Sequence, residues 1–146
     1  MSARIVIGEL TIGKARDLLS KGEVSVRELV AIYEGELKQK NAELNAYAEV
    51  FPDAFDAAEA ADKRLASGDA PRPLEGVIFA IKDNILIRGK HASAASKMLE
   101  SYRASYDATV IARLREAGAI FLGRTNMDEF AMGSSTEYSL YGPAHN

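Results

Sequence analysis

Val77-Ile78-Phe79-Ala80-Ile81, followed at once by Lys82-Asp83-Asn84, and Ala119-Ile120-Phe121-Leu122, followed by Gly123-Arg124-Thr125, are the two stretches that decide the fold. Each is a short apolar run without polar alternation, the pattern of a strand covered on both faces inside an α/β sheet. Between them, residues 108–117 carry Val110, Ile111, Leu114 and Ala117 on one helical face, with Asp107 placed to cap the start and Gly118 to close the end. Arg113 and Arg115 project from that helix. Strand, helix, strand makes the class α/β. Ile85-Leu86-Ile87 reads as a further strand, and Ser96 to Tyr102 as about two helical turns. A parallel sheet needs helices on both faces and neighbours on both sides. Two or three strands do not complete one, so the sequence reads as the opening of a larger sheet.

Upstream the chain is helical. Thr11 is placed to cap a helix over 12–20, with Leu18 and Leu19 on its apolar side and Gly22 beyond it. Ser25-Val26-Arg27-Glu28 fits a capping box, and Val26, Leu29, Val30, Tyr33 and Leu37 continue it at helical spacing toward Asn41. Residues 46–50 are β-prone, and Pro52 opens a helix over 53–67 with acidic residues early and basic residues late. Gly68-Asp69-Ala70-Pro71-Arg72-Pro73 is the clearest linker. It divides a helical segment, 1–67, from an α/β segment, 74–146, and serves equally as a surface turn. Downstream, Thr125-Asn126-Met127-Asp128 resembles a second capped helix start, before a small, polar stretch from Gly133 that is expected to be poorly ordered.

Composition narrows the chemistry. The 146 residues include 18 Lys+Arg and 21 Asp+Glu, a net charge of −3 that gives no case for nucleic-acid binding by this chain itself. With no cysteine, disulfides and thiolate sites are excluded. His91 and His145 are too few and too far apart to suggest a metal site, and both are expected in solvated loops. No apolar run approaches the roughly 18 residues of a membrane span. The opening MSARIVIGEL is too short and polar for a signal-peptide core, so a cytoplasmic protein is expected.

Lys82 is the strongest chemical candidate. It stands where an apolar strand surfaces, and ligands in open α/β sheets gather beyond the carboxyl ends of strands. Shelter from water there would lower an amine's pKa and let it act as a base; the alternative is a solvated turn lysine. Gly118 to Thr125 nearly spells a phosphate loop, but the residues between its glycines form an apolar strand rather than a cradle of N–H groups. The hydroxyls of Ser134, Ser135 and Thr136 lack a histidine base nearby in sequence. Asp128 and Glu129 are adjacent, so on a helix they diverge by about 100° and read as capping and surface residues.

From Pro73 the residues Pro-Leu-Glu-Gly-Val-Ile-Phe-Ala-Ile-Lys-Asp-Asn resemble the opening motif of the amidase signature family. Ala95-Ser96-Lys97-Met98-Leu99-Glu100, Tyr106-Asp107-Ala108-Thr109-Val110 and the run from Leu122 to Glu137 resemble the glutamyl-tRNA(Gln) amidotransferase A subunits within it. The resemblance implies a mixed sheet wrapped by helices and a Ser–cis-Ser–Lys triad that hydrolyses glutamine. The freed ammonia would convert Glu-tRNA(Gln) to Gln-tRNA(Gln) in a complex with subunits B and C, which uses ATP and Mg²⁺; no cofactor is implied for this chain.

By the same resemblance Lys82 matches the catalytic lysine. Met132, Gly133 and Ser134 match the substrate-pocket loop, and Asp83 and Asn84 match positions that support the lysine. Phe79 stands where the family usually has proline, a change that alters strand packing without touching Lys82. The segment bearing both family serines follows the point that Asn146 matches, so the chain is expected to be an N-terminal fragment, inactive alone. A related small-molecule amidase and a naturally short, non-catalytic interaction module are the alternatives.

Overall fold

The computed structural model describes residues 5–146. Among these residues, four α-helices and a three-stranded mixed sheet follow one another as α1 (Ile12–Ser20), α2 (Val26–Leu44), β1 (Tyr47–Val50), α3 (Ala54–Ala66), β2 (Ile78–Lys82), α4 (Thr109–Glu116) and β3 (Ile120–Thr125). The strand order is β1-β3-β2. β2 and β3 are parallel, joined by the crossover through α4, and Lys82 lies opposite Thr125; β1 is antiparallel to β3.

Local chemistry accounts for the helix starts. Thr11 accepts the Lys14 N–H at 3.2 Å. Ser25 accepts the Glu28 N–H at 3.1 Å while the Glu28 carboxylate takes the Ser25 N–H at 2.8 Å, so the capping box forms as written in the sequence. A second cap comes from far along the chain: the Asp62 carboxylate accepts the Val26 and Arg27 N–H groups at 2.7 and 3.1 Å. Helix α3 presents Ala54, Ala58 and Ala61, all buried, at helical spacing; these small side chains let it lie close to α2.

Sheet pleating sends neighbouring side chains to opposite faces. Ile120 and Leu122 join Leu19, Val26, Leu29, Val30 and the α3 alanines in one core. Phe121 and Ile81 face the other way, with Phe51, Ile87 and Ile111. The first core therefore draws on residues from both sides of the 68–73 segment. Gly123 is required where β1 bulges against β3: an added Cβ would overlap the Glu49 carbonyl oxygen and stand 3.1 Å from Val50 Cα.

Several expectations are corrected. β3 is the buried central strand, but β2 is half-covered, with Ile78 and Phe79 partly buried and Ala80 exposed, because among the described residues it pairs only with β3. Residues 85–87 form no strand. Their backbone is spent on turns and on the bond from the Ala108 N–H to the Leu86 carbonyl, while Ile85 and Ile87 pack into the second core. The two helical turns expected up to Tyr102 shrink to one 3₁₀ turn, Lys97–Leu99. Asp107 does not cap α4; its carboxylate accepts the Arg88 N–H at 2.7 Å and pairs with Arg115 at 3.0 Å. Val110 is 49% exposed, because α4 centres its packing on Ile111 and Leu114. The second capped start yields only the turn Glu129–Ala131, with Phe130 at a positive φ of 52°. The polar tail, expected to be poorly ordered, forms turns pinned to the fold. Asn45 and Asn126 donate to the carbonyls of Tyr141 and Gly142, and the Leu140 N–H donates to the Ala95 carbonyl.

Candidate active site

The parallel pair β2–β3 ends with Lys82 and Thr125 in register, and the Asp83 N–H bonds to the Thr125 carbonyl at 3.2 Å. Two main-chain bonds then bring distant loops to this end of the sheet. The Asp83 carbonyl accepts the Ala94 N–H at 3.3 Å, and the Ala94 carbonyl accepts the Phe130 N–H at 2.9 Å. Ala94, Ala95, Phe130, Ala131 and Thr136 all hold positive φ, uncommon for residues with a Cβ. Such a concentration of backbone strain is a feature of sites whose geometry the surrounding structure enforces.

Beneath these loops lies a buried polar cluster. Asp83, 1% exposed, accepts the Ser93 and Ala95 N–H groups at 3.1 and 2.9 Å, and Arg124 Nη1 at 2.6 Å. Arg124 also donates to Glu49 at 2.7 Å and to the Tyr141 hydroxyl at 2.8 Å, and its guanidinium lies over the Tyr141 ring. One arginine thereby ties β1, β2, β3 and the tail together. Burial opposes its charge, but hydrogen bonds to Glu49, Tyr141 and Asp83 outweigh burial and hold the guanidinium above its ordinary pKa. For Glu49, burial favours protonation, yet Arg124 and His91 together keep the carboxyl below its usual value.

The positions singled out in the sequence divide. Asp83 is a buried anchor with four donors, while Asn84 is exposed in the turn after β2. Met132 is 74% exposed, and Gly133 and Ser134 are exposed with it, in a loop that the Ala94–Phe130 bond holds against the β2 end. Lys82 departs from expectation. It is exposed rather than sheltered, because it lies on the strand whose outer edge is uncovered among the described residues. Asp128 corrects a second expectation, being 5% exposed rather than a surface cap. Glu129 is half-buried and accepts the Ser96 hydroxyl at 2.5 Å. His91 is half-buried 3.4 Å from Glu49, whereas His145 is exposed in the tail. Among the described residues no group of three or more His, Cys, Asp or Glu is arranged to hold a metal ion.

Arg124, Glu49, Ser93 and Tyr141 are not evident from sequence spacing. The one available signal is an arginine extending an apolar strand run, where an unpaired charge would be costly and a buried partner is therefore required.

The amidase family model matches residues 28–146. The chain is 48% identical over 145 residues to the A subunit of glutamyl-tRNA(Gln) amidotransferase of Treponema pallidum (strain Nichols), covering 88% of this chain and 28% of that protein. Native peptide amidase from Stenotrophomonas maltophilia superposes with a TM-score of 0.85 at 30% identity, covering 93% of this chain and 29% of that one. The A subunit of glutamyl-tRNA(Gln) amidotransferase from Thermotoga maritima gives a TM-score of 0.71 at 31% identity, covering 94% and 27%. The chain thus spans under a third of the length of each. The family model matching from α2 through the tail, together with 48% identity over most of the chain to an amidotransferase A subunit, establishes that the chain belongs to the amidase family.

Proposed function

We propose that this chain carries the lysine of an amidase centre that hydrolyses glutamine, within an amidotransferase that converts Glu-tRNA(Gln) to Gln-tRNA(Gln). The observation that supports this most is the place of Lys82, at the carboxyl end of a parallel strand beside an anchored Asp83, in a chain 48% identical to an amidotransferase A subunit. In the proposed chemistry, the Lys82 amine accepts a proton from a serine hydroxyl. That serine relays the proton from a second serine, whose oxygen attacks the side-chain carbonyl of glutamine. The C–N bond breaks, ammonia leaves with the returned proton, and water hydrolyses the acyl ester to glutamate. Both serines are assigned to the part of the enzyme that this chain does not span. Met132, Gly133 and Ser134 line the amide pocket, and Asp83 and Asn84 set the turn that aims Lys82. Subunits B and C are the proposed partners, ATP and Mg²⁺ act elsewhere in that complex, and the cytoplasm is the proposed location. Alone, the chain is proposed to be inactive.

The test is a chimera in which these residues replace their counterparts in the Thermotoga maritima protein. It is expected to release ammonia from glutamine, and Lys82→Ala is expected to slow release by about 100-fold or more, the usual contribution of a general base. Lys82-dependent ammonia release by the isolated chain would overturn the assignment of the serines. A second reading, hydrolysis of peptide amides, is favoured by the higher TM-score to the peptide amidase, 0.85 against 0.71. Offering glutamine, peptide amides and simple alkyl amides to the enzyme that contains these residues separates the two.

A further inference from the structure

The segment from Asp128 to Thr136 leaves the sheet end, turns outward and returns to the side chain from which it started. The Asp128 carboxylate accepts the Ser135 N–H at 3.1 Å and the Thr136 N–H at 3.0 Å, both on Oδ2, while the Asp128 carbonyl accepts the Ala131 N–H at 2.9 Å. Gly133 lies against the same carboxylate so closely that an added Cβ would stand 2.5 Å from Asp128 Cγ. The carboxylate therefore fills the inside of the loop, and Met132, Gly133 and Ser134 form its exposed outside. Oδ1 is buried without a hydrogen-bond partner among the described residues.

We propose that Asp128 is a positioning residue, whose buried carboxylate clasps the loop from within and sets where Met132, Gly133 and Ser134 meet an amide substrate. The substrate part of this inference rests on the amidase reading above. Because the clasp acts on the loop and not on the proton transfer at Lys82, its loss weakens substrate binding more than turnover. Gly133 and Asp128 also act as one unit: a methyl group at 133 is harmful only while the carboxylate occupies the space it would enter.

Two measurements test the clasp. In the full 146-residue chain, amide hydrogen exchange read by NMR is expected to show Ser135 and Thr136 protected in the wild type. That protection should be lost in Asp128→Ala and partly restored in Asp128→Asn, which keeps one acceptor oxygen. In the chimera, Asp128→Ala and Gly133→Ala are each expected to raise KM for glutamine about 10-fold with kcat within about threefold, equivalent to about 1.4 kcal/mol of binding. The double variant should be no worse than either single one. Unprotected Ser135 and Thr136 in the wild type, an unchanged KM, or additive losses in the double variant would each overturn the proposal. A wild-type chimera inactive on glutamine would sink the glutaminase reading instead, and the exchange measurement would then decide the clasp by itself.

Discussion

Replacing Arg124 by methionine keeps an unbranched apolar stem in place of the arginine's and removes the guanidinium with its charge and donors. The structure assigns that change a large cost. Asp83 is 1% exposed and loses its cationic partner at 2.6 Å, and Glu49 loses its bond at 2.7 Å. Breaking a buried pair by removing one member typically costs about 3–5 kcal/mol, since the remaining charge is left uncompensated. Asp83 retains donors from Ser93 and Ala95, which places the expected loss near the lower end, about 3 kcal/mol. Urea denaturation followed by circular dichroism measures it directly. Adding Asp83→Asn, which preserves shape and one acceptor oxygen, should recover about 1–3 kcal/mol, the coupling expected of residues in one network. The acid limb carries a second signature. Glu49 is held below its ordinary value of 4.5, so its contribution to stability is present above that value and fades as pH falls through the lower folded-state pKa. In Arg124→Met this part of the acid sensitivity should shrink. A loss under about 1 kcal/mol, the range of exposed ion pairs, or a double variant as unstable as the sum of its parts, would refute the view of Arg124 as the tie between the strands.

Gly123→Ala forces a Cβ onto the backbone of β1 and should cost about 1–3 kcal/mol or more by overpacking, seen as a lower urea midpoint. Asp62→Ala leaves the Val26 and Arg27 N–H groups without their side-chain acceptor and should cost about 0.5–2 kcal/mol in the same assay. Lys82→Ala, at an exposed position of β2, should change the stability of the chain by no more than about 0.5 kcal/mol. The same substitution should slow glutamine hydrolysis in the chimera by about 100-fold or more, and a clear stability loss would contradict the exposed placement of Lys82.

Local rules were legible where local chemistry decides. The Ser25–Glu28 capping box and the Thr11 cap form because donor and acceptor are three residues apart, and the runs at 78–81 and 120–122 become strands because their β-branched and aromatic residues suit an extended backbone. Local rules failed where a side chain found a better partner elsewhere. Asp107 and Asp128 both look like helix caps; one instead serves Arg88 and Arg115, the other the amides of a returning loop. In the candidate site, Lys82 and Asp83 stood out from their place after an apolar run. Arg124, Glu49, Ser93 and Tyr141 did not, since the contacts that unite them span 41, 75, 10 and 17 residues of chain.

The class of fold, the Thr11 and Ser25 helix starts, the three strands found among the described residues and the motif carrying Lys82 all follow from the order of residues alone, because periodicity, capping and apolar runs act over a few positions. The central place of β3, the uncovered edge of β2, the exposure of Lys82, and the anchoring of the surrounding loops by Arg124 and Asp128 arise only once the chain is folded. Those outcomes depend on which strand pairs with which, and on which buried charge meets its counter-charge, and neither is written within any short window of residues.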